Sequence, residues 1–298
     1  GLARLMVRHL IPAVAPGDTM ESIVLAKFDY SQLDKPDSPV RLRLNSTGVH
    51  VANVNEQGKP AVDVTYLTGD KLHRVRAGQV VMAGYNMMIP YLVPEMPETQ
   101  AAALKENVKS PLVYSKVVIR NWQPFVKLGV HEIYSPAAPY SRVKLDYPVN
   151  MGGYQHPRDP NQPIGLHMVY VPTLPGSGLS PREQSRKGRA LLLGTPFEVH
   201  EKMIREQLQG MFGEAGFDHQ RDIQAITVNR WSHGYSYFLN GLFDDEKEAE
   251  QIIHTARQPI GRITIANSDS DWSPYANSAV DQAWRAVNEL TAMNKESA

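Results

Sequence analysis

The stretch Gly261–Leu290, GRITIANSDSDWSPYANSAVDQAWRAVNEL, concentrates residues able to hold a ligand. Ile263, Ile265 and Ala266 form a short apolar run that reads as a buried strand. The turn-prone Asn267, Ser268, Asp269, Ser270 and Asp271 follow, then Trp272, Pro274 and Tyr275. From Asn277 the spacing is helical, with Ala279, Val280, Ala283, Ala286, Val287 and Leu290 on one face. Asn277 or Ser278 can cap that helix, and Asp281 suits its dipole. A strand, a polar turn and a helix amino end point free backbone N–H groups past the strand, as anion sites do. The same pattern also describes an ordinary strand–loop–helix unit. A second concentration is aromatic: Trp231, His233, Tyr235 and Tyr237 surround Gly234. Such strands usually belong to a core, and His233 reads more readily as a hydrogen-bonding core histidine than as a base. Lys116 interrupts the run LVYSKVVIR, where a solvated lysine on an edge strand is the ordinary case.

Other chemistries fit poorly. The chain has no cysteine, which excludes disulfides, thiolate zinc sites and a cysteine nucleophile. His200-Glu201 lacks a second histidine four residues on, and there is no G-x-S-x-G. Lys plus Arg and Asp plus Glu each number 31, so the charge balance gives no pointer to nucleic acid or an anionic membrane. No apolar run reaches the roughly eighteen residues of a membrane-spanning helix.

The 261–290 stretch resembles the carboxyl-terminal signature of flavin-containing amine oxidoreductases, the monoamine and polyamine oxidase group. There a strand ends in a small and an acidic residue, Trp-Ser-x-Tyr follows, and the next helix opens Ala-Val. Trp272-Ser273-Pro274-Tyr275 and Ala279-Val280 stand in that spacing. The acidic position falls on Asp269 with two residues deleted, or on Asn267 with none. Asn229-Arg-Trp-Ser-His-Gly-Tyr235, Phe28-Asp-Tyr30 and Leu44-Asn-Ser-Thr47 are similar to bacterial spermidine dehydrogenase-like flavoproteins.

The resemblance implies an FAD-dependent oxidation of an amine, a polyamine such as spermidine, by hydride transfer from the carbon beside nitrogen to flavin N5. Aromatic faces suit such a substrate, because they steer a cation and line an apolar slot. It implies catalytic roles for Lys116, Tyr235, Tyr237 and Tyr275. Lys116 would hold a water beside the flavin, and the amine would lie between Tyr237 (or Tyr235) and Tyr275. It implies cofactor contacts at Gly48, Val49, Gly84, Asn267, Ser268, Asp269, Trp272, Ala276 and Ala279. Gly48-Val49 would approach the adenosine portion. No G-x-G-x-x-G stands in the chain. Gly176-Ser-Gly178 has Pro181 at the third position, with no strand before it and no helix after it in this reading. The chain is therefore expected to be the carboxyl-terminal half of a larger flavoprotein, its missing amino-terminal half being a partner. A bacterial protein, periplasmic or cytoplasmic, is implied. The rival reading is a non-catalytic β-rich binding or scaffold domain that keeps the fold without cofactor.

At 298 residues with 42% hydrophobic content, the chain can build one large or two ordinary domains. Val40–Asn45, Gly48–Val54, Ala61–Leu67 and Val75–Met82 alternate as strands of a β-meander, with Asn55-Glu-Gln-Gly58 as a hairpin turn. Pro90, Pro94 and Pro97 mark a boundary. Helices are expected at 4–10, 98–108, 244–257 and from Thr195, which would cap a helix with Pro196 first. Strands are expected at 112–120, 143–145, 165–171 and 223–231. The fold class is α+β or α/β. Residues 1–88 would form the β-meander portion of an FAD domain and 258–298 its closing strand and helix. Residues 89–257 would form a mixed-sheet substrate domain.

Overall fold

The computed structural model describes residues 1–296, with side chains described through Met293. Strands β1 (Ser46–Glu56), β2 (Lys59–Thr68) and β3 (Lys71–Ala77) form an antiparallel meander. The β1–β2 turn has Gln57 and Gly58 both left-handed, at φ 52° and 82°. Two such residues match the right-handed twist of the flanking strands, which is why Asn55–Gly58 makes a tight hairpin. Val51 and Val62 are buried against the rest of the molecule.

The meander departs from the expected one at both ends. Residues 40–45 form no strand: Val40 and Leu42 pack on Ile11, Val14, Ala15 and Leu33, while Arg41 and Arg43 both clasp Asp34 at 2.6 and 3.0 Å. Asn45 at φ 52° then breaks the extension before β1. At the other end Gly78-Gln79 divides the expected 75–82 strand. Residues Val80–Met82 (β4) leave the meander and pair in parallel with Ile263–Ile265 (β10). The outer side of β10 is closed. Ile263 and Ile260 exchange backbone bonds of 2.9 and 3.0 Å, and Arg285 donates to the Ile265 carbonyl. Beyond β4 no further strand pairs among the described residues.

Helices α1 (Leu2–Leu10) and α2 (Met20–Leu25) precede the meander and the short α8 (His219–Asp222) precedes Ile223, while α3 (Ile89–Leu92), α4 (Glu98–Glu106) and α9 (Glu246–Ala256) cover this side. Ile89, Val93, Leu104 and Ala256 share a core with Val51, Val62, Met82, Ile263 and Ile265.

The second core belongs to a five-stranded antiparallel sheet in the order β6 (Glu132–Tyr134), β7 (Arg142–Leu145), β8 (Ile164–Tyr170), β5 (Lys109–Ile119), β9 (Ile223–Ser236). Alternate residues Val113, Val117, Ile119, Leu166 and Met168 face α6 (Pro181–Gly194) and α7 (Phe197–Phe212), meeting Leu192, Ile204, Leu208 and Phe212. The opposite face carries Tyr114, Lys116, His167 and Trp231. Strand β9 runs past the expected Trp231 end and takes in Trp231, His233 and Tyr235, leaving Tyr237 one residue beyond it, with a register shift opposite Ser110/Leu112. Gly234 sits at that shift, where a Cβ would meet the Leu112 Cβ and the Ser110 carbonyl at 2.9 Å.

Helix α6 follows the Gly176–Gly178 loop, where none was expected. Ser180 and Glu183 close a capping box around Pro181 at the first position. Gly188 lets this helix approach the chain: a Cβ there would lie 2.1 Å from the Pro172 carbonyl oxygen. Thr195 does not cap α7. Its hydroxyl donates back to the Leu191 carbonyl at 2.7 Å, finishing α6, and Val199 is exposed. Helix α5 (Gln123–Leu128) supplies Phe125, whose ring centre lies 4.4 Å from that of Phe212.

The α7 stripe includes a histidine. His200 is fully buried, its Nδ1 3.4 Å from the Tyr140 hydroxyl and its Nε2 without a partner among the described residues. Burial, then the charge of Arg230, holds its pKa below the ordinary value. A histidine with a depressed folded-state pKa is neutral in the fold but takes a proton when unfolded. Its stability contribution is therefore intact above pH of about 6.5 and falls away as the pH drops below that. Thermal melts from pH 8 to 5 should show this decline, and His200→Phe should flatten it. An unchanged decline in that variant would place its cause elsewhere.

Candidate functional site

The site is built where β10 ends. Ala266 continues the parallel pairing by donating to the Met82 carbonyl at 2.9 Å. Asn267 then adopts φ 133°, ψ −179°, a region that only glycine enters easily. Its side chain fixes both flanks: the amide donates to the Gly84 carbonyl, and the carbonyl accepts from the Asp269 N–H at 2.6 Å. Asp269 is 1% exposed, and its carboxylate binds the Lys109 ammonium, itself 5% exposed. The other carboxylate oxygen accepts from the Asn86 N–H at 3.1 Å. One buried ion pair thus joins the turn after β10, the loop after β4 and the first residue of β5.

Aromatic groups surround this pair. The Lys109 ammonium lies 4.6 Å from the Tyr85 ring centre, and Tyr85 stacks on His233 at 5.9 Å. Burial, then the charges of Arg189 and Lys109, lower the His233 pKa, which favours a neutral imidazole. Trp272 closes the turn in a left-handed conformation at φ 44° and meets Tyr237 edge-on at 5.7 Å. Tyr237 is 4% exposed, donates to Asp244 at 2.6 Å, and has its pKa raised by burial and that bond.

Helix α10 (Ala276–Glu296) starts just beyond. Its buried face is Ser278, Gln282, Ala286 and Leu290, rotated from the expected one, and Val280, Trp284 and Val287 are exposed. Tyr275 is 60% exposed, Ala276 is exposed and Ala279 half-buried.

The structure therefore gathers Gly84, Asn267, Ser268, Asp269 and Trp272 around Lys109, with Tyr237 packed behind and Tyr275, Ala276 and Ala279 at the adjoining helix start. Lys116 is not among them. It lies seven residues along β5, paired with Asp146 at 2.7 Å. Tyr235 reaches the open face of the five-stranded sheet, where its hydroxyl meets that of Tyr114 at 2.7 Å. Gly48 and Val49 lie at a bulge in β1, where the register slips between Gly48 and His50. Sequence reasoning missed Lys109, Tyr85 and Asn86. Lys109 precedes the apolar run of its strand and reads as a solvated end, and its acid partner is 160 residues away. Among the described residues no group of acids and histidines could hold a metal ion.

No protein-family model and no curated sequence matches the chain. Solved structures do. Cyclohexylamine oxidase from Brevibacterium oxydans IH-35A superposes with a TM-score of 0.55 at 11% identity, over 83% of this chain and 48% of that one. Putrescine oxidase bound to putrescine gives 0.56 at 15%, over 83% and 49%. A singly substituted putrescine oxidase gives 0.56 at 16%, over 87% and 50%. The chain spans about half the length of the structures it matches, and what it shares with these amine oxidases is the fold of that half.

Proposed function

We propose that this chain is the carboxyl-terminal half of an FAD-dependent amine oxidoreductase. The observation that carries the reading is the turn 267–272, fixed by the buried Lys109–Asp269 pair at the end of a parallel strand and the start of a long helix. The residues present suit the flavin end of FAD. The backbone of Gly84, Asn267 and Ser268, the Trp272 turn and the first turn of α10 with Ala276 and Ala279 would hold it, and Gly48-Val49 would approach the adenosine portion. Asp269 rather than Asn267 takes the family's acidic position in this reading, because Asn267 stands in a glycine-like conformation. When bound, the flavin supplies the hydride acceptor for amine oxidation.

The chain's own residues position and polarise. Lys109, rather than Lys116, is the strand lysine beside the cofactor turn, so we assign it the role that the resemblance gives to a lysine of this strand. Tyr275 walls the amine slot, since its ring is exposed where Tyr237 is sealed. Tyr235, open on the sheet face, extends the aromatic lining. A polyamine such as spermidine is the finer reading, supported by the likeness of residues 229–235 and by putrescine oxidase among the similar structures. In domain terms, residues 1–88 and 258–298 serve the cofactor and 89–257 the substrate, with α4 and α9 buttressing the cofactor side.

A glycine-rich phosphate loop is absent from this sequence, so another segment must cradle the pyrophosphate. Two features support a complementing half. A two-stranded parallel sheet is far below the usual size and cover of such sheets, and the far edge of β4 pairs with no strand among the described residues. Beside it α10 exposes Val280, Trp284 and Val287. The chain by itself should purify colourless. Expressed with the segment of its gene that encodes a glycine-rich βαβ unit, it should purify yellow and bleach when an amine is added. A colourless complex, or a chain that binds flavin alone, would overturn this reading.

A further inference from the structure

A groove of about 460 Å³ lies at the β6–β7 edge of the five-stranded sheet. Strand register sets Glu132, Lys144, His167 and Lys116 side by side beneath it. The two carboxylates in its wall already hold cations. Glu132 receives the Arg142 Nε, and Asp146 receives the Lys116 ammonium at 2.7 and 2.8 Å. Lys144 is left over. It is 4% exposed and has no carboxylate within ion-pair distance among the described residues; it meets the Tyr147 side chain, whose ring centre lies 3.1 Å from the ammonium.

A buried ammonium that meets a phenol and its ring but no carboxylate is under-compensated, since such contacts supply less than a carboxylate does. The surroundings share the excess. A hydrogen bond from Lys144, and then its charge and that of Arg142, lower the pKa of the Tyr147 phenol. His156, on the same wall, keeps a buried Nδ1 without a partner among the described residues. Leu145, Tyr147 and Pro148 give the groove an apolar side.

We propose that this groove binds an organic anion, a carboxylate or phosphate monoester whose head meets Lys144 and His156 and whose apolar body lies along Leu145, Tyr147 and Pro148. The anion is a ligand distinct from the amine. It provides what a desolvated cation lacks here: an anionic acceptor that completes its hydrogen bonding.

Calorimetric titration of the full chain at constant ionic strength with benzoate, and separately with phenyl phosphate, tests it. Saturable binding of one to one stoichiometry by either ligand is expected, and the tighter of the two identifies the head group. Lys144→Gln should weaken that binding by about tenfold or more, while Lys202→Gln, on an exposed helix face, should leave it unchanged. Should circular dichroism show Lys144→Gln unfolded, His156→Leu replaces it and should weaken binding severalfold. Failure of both ligands to saturate, or equal binding by the folded variants, would overturn the proposal.

Discussion

Asp269→Ala should lower the unfolding free energy of this chain by about 3–5 kcal/mol, the largest single-residue effect expected near the turn. The carboxylate is 1% exposed and its partner Lys109 is 5% exposed, so truncation leaves an ammonium in a site water does not reach. The Asn86 N–H loses its acceptor in the same step. Lys109→Met should cost a similar amount for the converse reason, an uncompensated carboxylate. Replacing both at once, as Lys109→Met with Asp269→Leu, should recover most of the loss, because two charges that no longer need desolvating are removed together. Urea titrations at unchanged m-value give all three numbers. If each single variant costs less than about 1 kcal/mol, the pair behaves as a solvated surface bridge and the rigidity ascribed to the turn fails.

What the sequence disclosed follows the range of the interactions involved. The 55–58 hairpin was legible because its turn chemistry is local: Gln57-Gly58 supplies both left-handed residues. The strand–turn–helix around Trp272 was legible for the same reason. The segment 40–45 misled because alternation marks any extended chain with one apolar side, and Val40 and Leu42 found theirs on the amino-terminal helix region. Two capping patterns stand between 180 and 198, one before each of α6 and α7. Thr195-Pro-Phe-Glu198 does mark the start of α7, but the threonine hydroxyl turned back to Leu191 instead of capping it, while the capping box of α6 at Ser180–Glu183 lay hidden behind a Gly- and Pro-rich loop. The buried face of α10 was misassigned because the helix has two faces with apolar residues. Ala286 and Leu290 meet the present core, and Val280, Trp284 and Val287 stay uncovered, which is the pattern of a helix built to be packed on both sides. The Lys109–Asp269 pair had no local signal at all, since 160 residues separate its members.

Tyr275 gives the functional reading its sharpest test. In this chain its ring is 60% exposed and makes no core contact that truncation would empty, so Tyr275→Ala should change stability by no more than about 0.5 kcal/mol. The position is nonetheless constrained: its carbonyl accepts from the Ala279 N–H at 3.1 Å, which sets the ring at the mouth of α10 next to the Trp272 turn. If that ring walls an amine slot, its removal acts on turnover alone. In the flavin-loaded enzyme completed by its βαβ half, Tyr275→Ala should slow reduction of the flavin by an amine about 10- to 100-fold, a loss of roughly 1.4–2.7 kcal/mol in transition-state stabilisation. Tyr275→Phe should retain most of the rate, because the slot uses the ring face rather than the hydroxyl. Stopped-flow absorbance of the bound flavin, run beside a thermal melt of each variant, separates the outcomes. An unaltered reduction rate in Tyr275→Ala would remove this residue from the site and leave the exposed ring as a contact for the complementing half.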